Sequence, residues 1–323
     1  MKKIGIYFLQ HRRNFVPLLM YFLNRVKQEN RNQIKLYFLE TANLSYDWIK
    51  TDIEYEVIPF HGSIHIGNYS KKFEFILSQQ HPYCVKLDED YFISNYVWDF
   101  IIENVEILDN KQLLSLSPVT NIGVPTTDLF IEDFCEEWQK QEIHKIFLGV
   151  DFAKTCGQRW GTNEYDELNK HTIGAQQWNI TAFHNDLDAL STNIKGVHPV
   201  RFSYEAQKYL ADVVLSNVPR FISQQYFIID TQYKPYMCND MCVMRADVLR
   251  DIDKEEKFIP YDEIPINNYK RKYKLDYAFI RKGFGVHTMF AFVGRYNIDR
   301  QPEEVIIHDT LLKLTKECNH YEL

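Results

Sequence analysis

The sequence predicts an α/β protein with a mostly parallel sheet flanked by helices, and three observations lead to that prediction. Short apolar runs alternate with segments of helical periodicity over about the first 120 residues. One apolar run ends in three consecutive acidic residues, and the carboxyl ends of strands are where parallel sheets usually carry their functional groups. The chain has 323 residues, 45% of them hydrophobic, which is enough for one large core.

In the first part of the chain, apolar runs of strand length are separated by helical patterns and by one loop carrying two histidines. Asn14 would cap the first helix, and Pro17 would lie in its first turn. The predicted strands are Ile4–Leu9, Ile34–Leu39, Ile53–Pro59, Tyr83–Leu87 and Gln112–Leu116, and the predicted helices are Asn14–Gln28, Tyr69–Gln80 and Asn95–Asn104.

The second part is less regular. Residues of about 121–225 read as a helical or loop-rich insertion, because polar runs and tryptophans replace the alternation. Further on, the patterns predict a strand at Tyr226–Ile229, a helix at Met241–Asp251, a turn followed by a strand within Ile280–Phe292, and a helical stretch within Glu303–Leu323.

Composition excludes several classes of protein. A formal net charge of -7 argues against a nucleic-acid partner. With only 12 glycines, the chain has no Gly-rich phosphate loop of standard spacing, and none of its six cysteines forms a C-x-x-C pair typical of zinc sites. No run of 18 apolar residues occurs, so we predict a cytoplasmic protein, compatible with peripheral attachment to the inner face of a membrane.

The acidic triplet Asp88-Glu89-Asp90 is the most informative motif. Adjacent carboxylates repel one another, and in an apolar setting they need a cationic partner. A divalent ion, Mg²⁺ or Mn²⁺, suits one or two carboxylates with phosphate oxygens completing its shell. Asp88 and Asp90 are the candidate ligands, and Glu89 is expected to point the other way if the strand continues. The structural alternative is that the triplet caps a helix beginning near Ser94.

This order of elements resembles the nucleotide-sugar half of a GT-A glycosyltransferase, most closely the family 2 type. The resemblance is carried by the acidic end of the second strand at Glu40, by Asn68-Tyr69-Ser70-Lys71-Lys72 at the next helix, and by Val85-Lys86-Leu87-Asp88-Glu89-Asp90. It implies a GT-A-like (Rossmann-like) fold, with residues 1–120 binding the donor and 121–323 forming the acceptor-binding and catalytic half of a single unit.

The resemblance also implies an activity, namely metal-dependent and inverting transfer of a sugar from a nucleotide diphosphate sugar. The acceptor would be a glycan or lipid-linked molecule in surface polysaccharide synthesis, such as capsule or lipopolysaccharide. Glu40 would contact the nucleoside, Lys71 or Lys72 would approach the phosphates or base, and His287 would complete the metal shell.

An inverting transfer needs a general base for the acceptor hydroxyl. Asp240 is the first candidate, because Asn239-Asp240 precedes a predicted helix, although it would equally serve as that helix's cap. Asp262 and Glu263 are the other two candidates. Two alternative functions stay open: that of a nucleotidyltransferase, and that of a non-catalytic module that binds nucleotides or glycans.

Two further groups of residues have competing interpretations. His61 and His65 would either line the nucleotide pocket or lie on a solvated loop. The basic run Lys270-Arg271-Lys272, with Lys274, would either form a solvated face or hold a diphosphate or an anionic lipid-linked acceptor.

Overall fold

The computed structural model describes residues 3–10, 15–40, 46, 49–60, 66–123, 126–149, 200, 203–234, 237, 241–256, 258, 263–288 and 301–319. The chain divides into two compact units. Unit 1 is drawn from Met1–Pro118, Ile222–Tyr233 and Asn239–Gly285, and unit 2 from Val119–Phe221, Lys234–Cys238 and Val286–Leu323. The division of the chain into a donor half and an acceptor half stays a prediction.

The sheet is mixed, and its described strands are nine in number. They are β1 Ile4–Gln10, β2 Ile34–Glu40, β3 Glu54–Pro59, β4 Tyr83–Asp88, β5 Tyr91–Ile93, β6 Leu113–Thr120, β7 Ile228–Gln232, β8 Met241–Arg245 and β9 Asp276–His287. The order across the sheet is β3-β2-β1-β4-β8-β6-β9-β5, and β7 pairs with β9 outside this path. The predicted α/β class with a helix-flanked sheet is therefore confirmed.

Strand direction changes across the sheet. The pairs β1–β2, β2–β3 and β1–β4 are parallel. β8 is antiparallel to both β4 and β6, and β7 is antiparallel to β9. From β1 the chain proceeds outward on one side to β2 and β3, and then returns to place β4 on the other side of β1. The order of the parallel strands therefore reverses between β1 and β4, which makes this position a topological switch point.

The described helices are short to medium in length. They are α1 Val16–Leu23, α2 Gln28–Arg31, α3 Ile66–Ser78, α4 Asn95–Asn104, α5 Thr126–Phe134, α6 Glu137–Leu148, α7 Tyr204–Ser216, α8 Val218–Ser223, α9 Ala246–Glu256, α10 Glu263–Tyr273 and α11 Gln301–Asn319. A 3-10 helix, Val105–Asp109, follows α4. Within the described ranges, no helix combines the length and the apolarity needed to cross a bilayer.

Aromatic side chains fill the face of the sheet that α3 covers. Tyr7 of β1 and Tyr37 of β2 stack with ring centroids 4.9 Å apart, and Phe75 of α3 lies edge-on to both rings. Phe73 of the same helix stacks on Phe258 at 4.3 Å. These contacts fix α3 against β1 and β2, and so they fix the position of every side chain that α3 carries towards the strand ends.

Three predicted elements were wrong in type or extent. The predicted helix Met241–Asp251 begins instead as strand β8, whose four apolar residues are buried in the sheet, and becomes helical only at Ala246. A short apolar run does not distinguish a buried strand from a buried helix. The segment expected to turn at Gly283 and Gly285 is part of one continuous strand, β9.

The predicted helix Asn14–Gln28 is divided in two. α1 ends at Leu23, and the expected cap Asn14 lies outside the described residues. A tertiary contact sets the break, because the buried carboxylate of Asp99 accepts the backbone N–H of Lys27 at 3.0 Å and the side-chain amide of Asn30 at 2.6 Å. The remaining strands and helices of the first part fall within a few residues of their predicted positions.

Candidate functional site

Strand β4 places the acidic triplet at the carboxyl edge of the sheet, beside the end of β1. The strand ends at Asp88, and Glu89 and Asp90 form a two-residue turn before β5. The Asp88 side chain is 25% exposed, whereas Glu89 and Asp90 are only 3% and 5% exposed. The strand does not continue past Asp88, so the condition on which Glu89 was expected to point to the opposite side is not met.

The triplet does not cap the following helix. Ser94 is the N-cap of α4, and its hydroxyl oxygen accepts the backbone N–H of Val97 at 3.3 Å. A serine in this role satisfies the orphan amide without help from a carboxylate. The structural alternative for the triplet, helix capping, is therefore wrong, and its buried carboxylates require another explanation.

Lys86 supplies the first part of that explanation. It lies in the middle of the sheet, opposite Tyr7 of β1 and Cys242 of β8, and only 7% of its surface is exposed. Its ammonium group is 2.8 Å from a carboxylate oxygen of Asp88, two residues along the same face of the strand. Lysine is almost never this buried unless it is paired. The sequence pattern alone predicted no separate role for Lys86, although residues two apart on a strand share a face, as Lys86 and Asp88 do.

Lys72 of α3 brings a second positive charge to the same place. It is 4% exposed, and burial lowers the pKa of its ammonium from 10.5 to about 8. The negative charges of Glu89, Asp88 and Glu40 oppose that lowering, which places all three carboxylates within electrostatic reach of Lys72. Lys71, the other predicted phosphate or base ligand, is exposed. The helix therefore presents only one of its two adjacent lysines to the acidic groups.

Glu40 closes the group on the side of β2. It is the last residue of that strand, it is 5% exposed, and its carboxylate accepts a hydrogen bond from the Tyr46 hydroxyl. Burial raises the pKa of Tyr46, and the hydrogen bond to Glu40 raises it further, so this phenol stays protonated. We call Glu40, Tyr46, Lys72, Lys86, Asp88 and Glu89 the strand-end cluster.

The charges of the strand-end cluster compensate one another in part. Lys72 and Lys86 face the carboxylates of Glu40, Asp88 and Glu89, and buried Asp90 follows in the turn. Within the described ranges, no three His, Cys, Asp or Glu side chains come together as a metal-binding group. Mg²⁺ and Mn²⁺ often take only one or two carboxylates and complete their shells with phosphate oxygens and water. Asp88, one quarter exposed, and Asp90, two residues further along the chain, fit that smaller donor set.

Two candidate bases, Asp240 and Asp262, lie outside the described residues, as do His61 and His65. Glu263 is the first residue of α10. The assignment of a general base among these three acids therefore stays a prediction.

His287 is the last residue of β9, and it belongs to unit 2. Its backbone N–H donates to Asn121 at 2.9 Å, and its Nδ1 lies 3.0 Å from the carbonyl oxygen of Ile122. A carbonyl only accepts, so Nδ1 carries the proton and Nε2 carries the lone pair of the neutral ring. That tautomer is the one in which Nε2 would bind a metal, and the predicted metal role of His287 stays a prediction.

The basic run near the end of α10 is not a uniformly solvated face. Lys270 is fully buried, with its ammonium 3.0 Å from the centre of the Tyr233 ring and 5.4 Å from that of Tyr277. Lys272 is exposed and pairs with Glu255 at 2.8 Å. The four basic residues are therefore divided between the core and the surface, which argues against a single diphosphate-binding patch.

A concave region of the surface lies near the amino ends of β2 and β3. This open depression has a volume of about 580 Å³ and is lined by Asn32, Lys35, Tyr37, Glu54, Ser78, Gln79, Gln80 and His81. Its lysine is already paired with Glu54 and Glu56 at 3.3 and 3.1 Å. Ligands of open α/β sheets bind at the carboxyl ends of strands, so the strand-end cluster is the stronger candidate.

In comparisons with known proteins, no protein-family model matches the sequence, and no curated protein matches it.

Proposed function

We propose that this protein is a metal-dependent glycosyltransferase of the GT-A type. It moves a sugar from a nucleotide diphosphate sugar to a glycan or lipid-linked acceptor in surface polysaccharide synthesis. The reaction would be inverting, and it would take place in the cytoplasm, at the inner face of the membrane.

One observation carries the proposal: the strand-end cluster lies at the topological switch point between β1 and β4. A nucleotide-type ligand of an open α/β sheet binds at such a point. Burying two lysines and several carboxylates near one edge of the sheet also costs desolvation free energy, which a purely structural role would not repay. The failure of the capping alternative at Ser94 supports the same conclusion.

Four residues of the cluster, together with Asp90, have distinct tasks in the proposed reaction. Glu40, oriented by Tyr46, would accept hydrogen bonds from the nucleoside, and Lys72 would face the phosphates. Asp88 and Asp90 would hold a divalent ion, which would stabilise the charge of the departing nucleoside diphosphate. Asp240 would take the proton of the acceptor hydroxyl as the new glycosidic bond forms, with Asp262 or Glu263 as the other candidate bases.

The proposal is tested by thermal unfolding with a panel of nucleoside diphosphates and their sugars, each with and without Mn²⁺. A ligand at a hundred times its Kd stabilises a protein by about 2.7 kcal/mol, which corresponds to a rise in Tm of about 4 °C at this size. We expect such a rise for one nucleotide, only with Mn²⁺, and its loss in Asp90→Ala.

Asp212→Ala is the matched control, because Asp212 is an exposed acid on α7, paired with Lys208 at 3.8 Å. It should keep the full nucleotide-dependent rise in Tm. The absence of any rise in the wild type, or an unchanged rise in Asp90→Ala, would contradict the proposal. Stabilisation without release of nucleoside diphosphate in the presence of acceptors would favour the non-catalytic binding module.

A further inference from the structure

We propose that Lys72 and Lys86 are resident counter-ions of the strand-end carboxylates, and that a divalent cation therefore enters this site only together with a diphosphate. The inference rests on the proposed function, because it specifies how the same site would admit its metal and its donor.

Lys86 protects Asp88 from a free cation. The ammonium group occupies one carboxylate oxygen at 2.8 Å, and the lysine stem is held between β1 and β8 in the middle of the sheet. Lys86 also lines a small cavity of about 10 Å³, which is room for no more than one water molecule. Because Lys86 is buried and has so little free space beside it, a metal ion at Asp88 would meet its charge at close range.

Lys72 acts on the remaining carboxylates from the helix side. It is 4% exposed, and Glu89, Asp88 and Glu40 all lie within its electrostatic reach. Phe73, the next residue, anchors α3 by stacking on Phe258. Because Lys72 is buried and its helix is anchored in this way, its ammonium stays near the carboxylates when a cation approaches.

A diphosphate changes this balance. Its negative charges would interact favourably with both ammonium groups and with the incoming metal ion at once, whereas a metal ion alone meets two fixed positive charges. Binding of metal and diphosphate should therefore be strongly cooperative, and free metal should bind weakly. The cooperativity would keep the site empty until the donor arrives.

The test measures how tightly the full chain binds Mn²⁺ without nucleotide. Electron paramagnetic resonance detects the Mn²⁺ that remains free at each total concentration. Four proteins are compared: wild type, Lys72→Met, Lys86→Met and Lys71→Met. Methionine keeps the unbranched, apolar character of the lysine stem at nearly the same length and removes the charge. We expect wild type and Lys71→Met to bind Mn²⁺ equally weakly, and both Lys72→Met and Lys86→Met to bind it at least about tenfold more tightly.

Lys71→Met is the matched control because Lys71 is the exposed neighbour of Lys72 on the same helix. The gain in affinity separates a counter-ion from a merely structural lysine, whose loss would not improve metal binding. If one variant does not fold, the other carries the test. The wild type alone provides a further check, since adding UDP or GDP should tighten Mn²⁺ binding at least about tenfold.

The inference is overturned if neither lysine variant gains affinity, or if the wild type binds Mn²⁺ equally well with and without a diphosphate that it binds. The proposed function fails separately. If no nucleoside diphosphate binds but both lysine variants gain Mn²⁺ affinity, the counter-ion role stands and the glycosyltransferase proposal falls.

Discussion

Two adjacent lysines on α3 have opposite environments, although the sequence presents them as equivalent. Lys71 is exposed, whereas Lys72 is 4% exposed and has a pKa of about 8 because burial disfavours its charged form. In the unfolded chain its pKa would be close to 10.5. Between these two pKa values the unfolded state holds a proton that the folded state lacks, so the contribution of Lys72 to stability rises with pH across this window.

The pH dependence of stability gives a prediction for Lys72. Relative to Lys72→Met, the free energy of unfolding of the wild type should increase by about 3 kcal/mol between pH 7 and pH 10.5, since one pKa unit is worth about 1.4 kcal/mol. Urea unfolding at several pH values measures the difference, and other titrating groups cancel in it. Lys71→Met should show no such change, and parallel curves for wild type and Lys72→Met would contradict the assigned burial.

The sequence predicted part of the candidate site at this scale. The acidic triplet was predicted from its position at the end of a strand, whereas Glu40 and the pair Lys71-Lys72 followed from the resemblance to GT-A glycosyltransferases. To choose between Lys71 and Lys72, one must know which face of α3 packs on the sheet. The packing of Phe73 and Phe75 determines that face. Tyr46 was missed because no periodic pattern encodes its hydrogen bond to Glu40.

At the scale of elements, strand β9 shows what sequence patterns do not convey. Its two glycines suggested a turn, yet both lie inside a strand of 12 residues. They serve close packing: a Cβ on Gly285 would overlap the ring and hydroxyl of Tyr91, and a Cβ on Gly283 would overlap the ring of Phe227. Glycine in a strand often marks such close approach, and the partner residues are far away in sequence. Helix α4, in contrast, was predicted to the residue because its cap and its periodicity are local.

The close packing at Gly285 gives a second prediction. Gly285→Ala should lower the free energy of unfolding by about 1–3 kcal/mol, because the Tyr91 ring is fully buried and has little room to move. Gly149→Ala is the control, since its Cβ would meet nothing closer than 3.4 Å and its φ of -81° suits alanine. We expect this control to change stability by less than about 0.5 kcal/mol. Equal effects in the two variants, measured by urea unfolding, would contradict the predicted overlap.

At the scale of the whole molecule, the alternation of the first part sufficed to predict the class and the parallel arrangement of β1 to β4. The antiparallel strand between β4 and β6 was not predictable in the same way, because Met241–Arg245 is distant in sequence from both partners. All members of the strand-end cluster lie in unit 1, although Lys86 is also packed against the unpredicted strand β8. The second unit carries His287 and the packed helices α6 and α7.

The division of the chain into two units predicts where a bound donor should change local stability. In hydrogen exchange with Mn²⁺ and the nucleoside diphosphate that binds, amides of Tyr83–Ile93 should exchange at least about tenfold more slowly. Amides of α6 and α7 should exchange at unchanged rates. Equal protection in both units, or protection confined to α6 and α7, would contradict a donor site at the strand ends.

The position of β8 also has a consequence for how the chain is made. During synthesis, β1 to β4 emerge early and can pair, but the strand that covers the other edge of β4 emerges only when the chain reaches Arg245. Until then, the edge of Tyr83–Leu87 that pairs with β8 in the folded protein has unpaired backbone groups. Such an edge readily pairs with other chains. Chains terminated before Met241 should therefore aggregate on release from the ribosome, even though they contain the complete strand-end cluster.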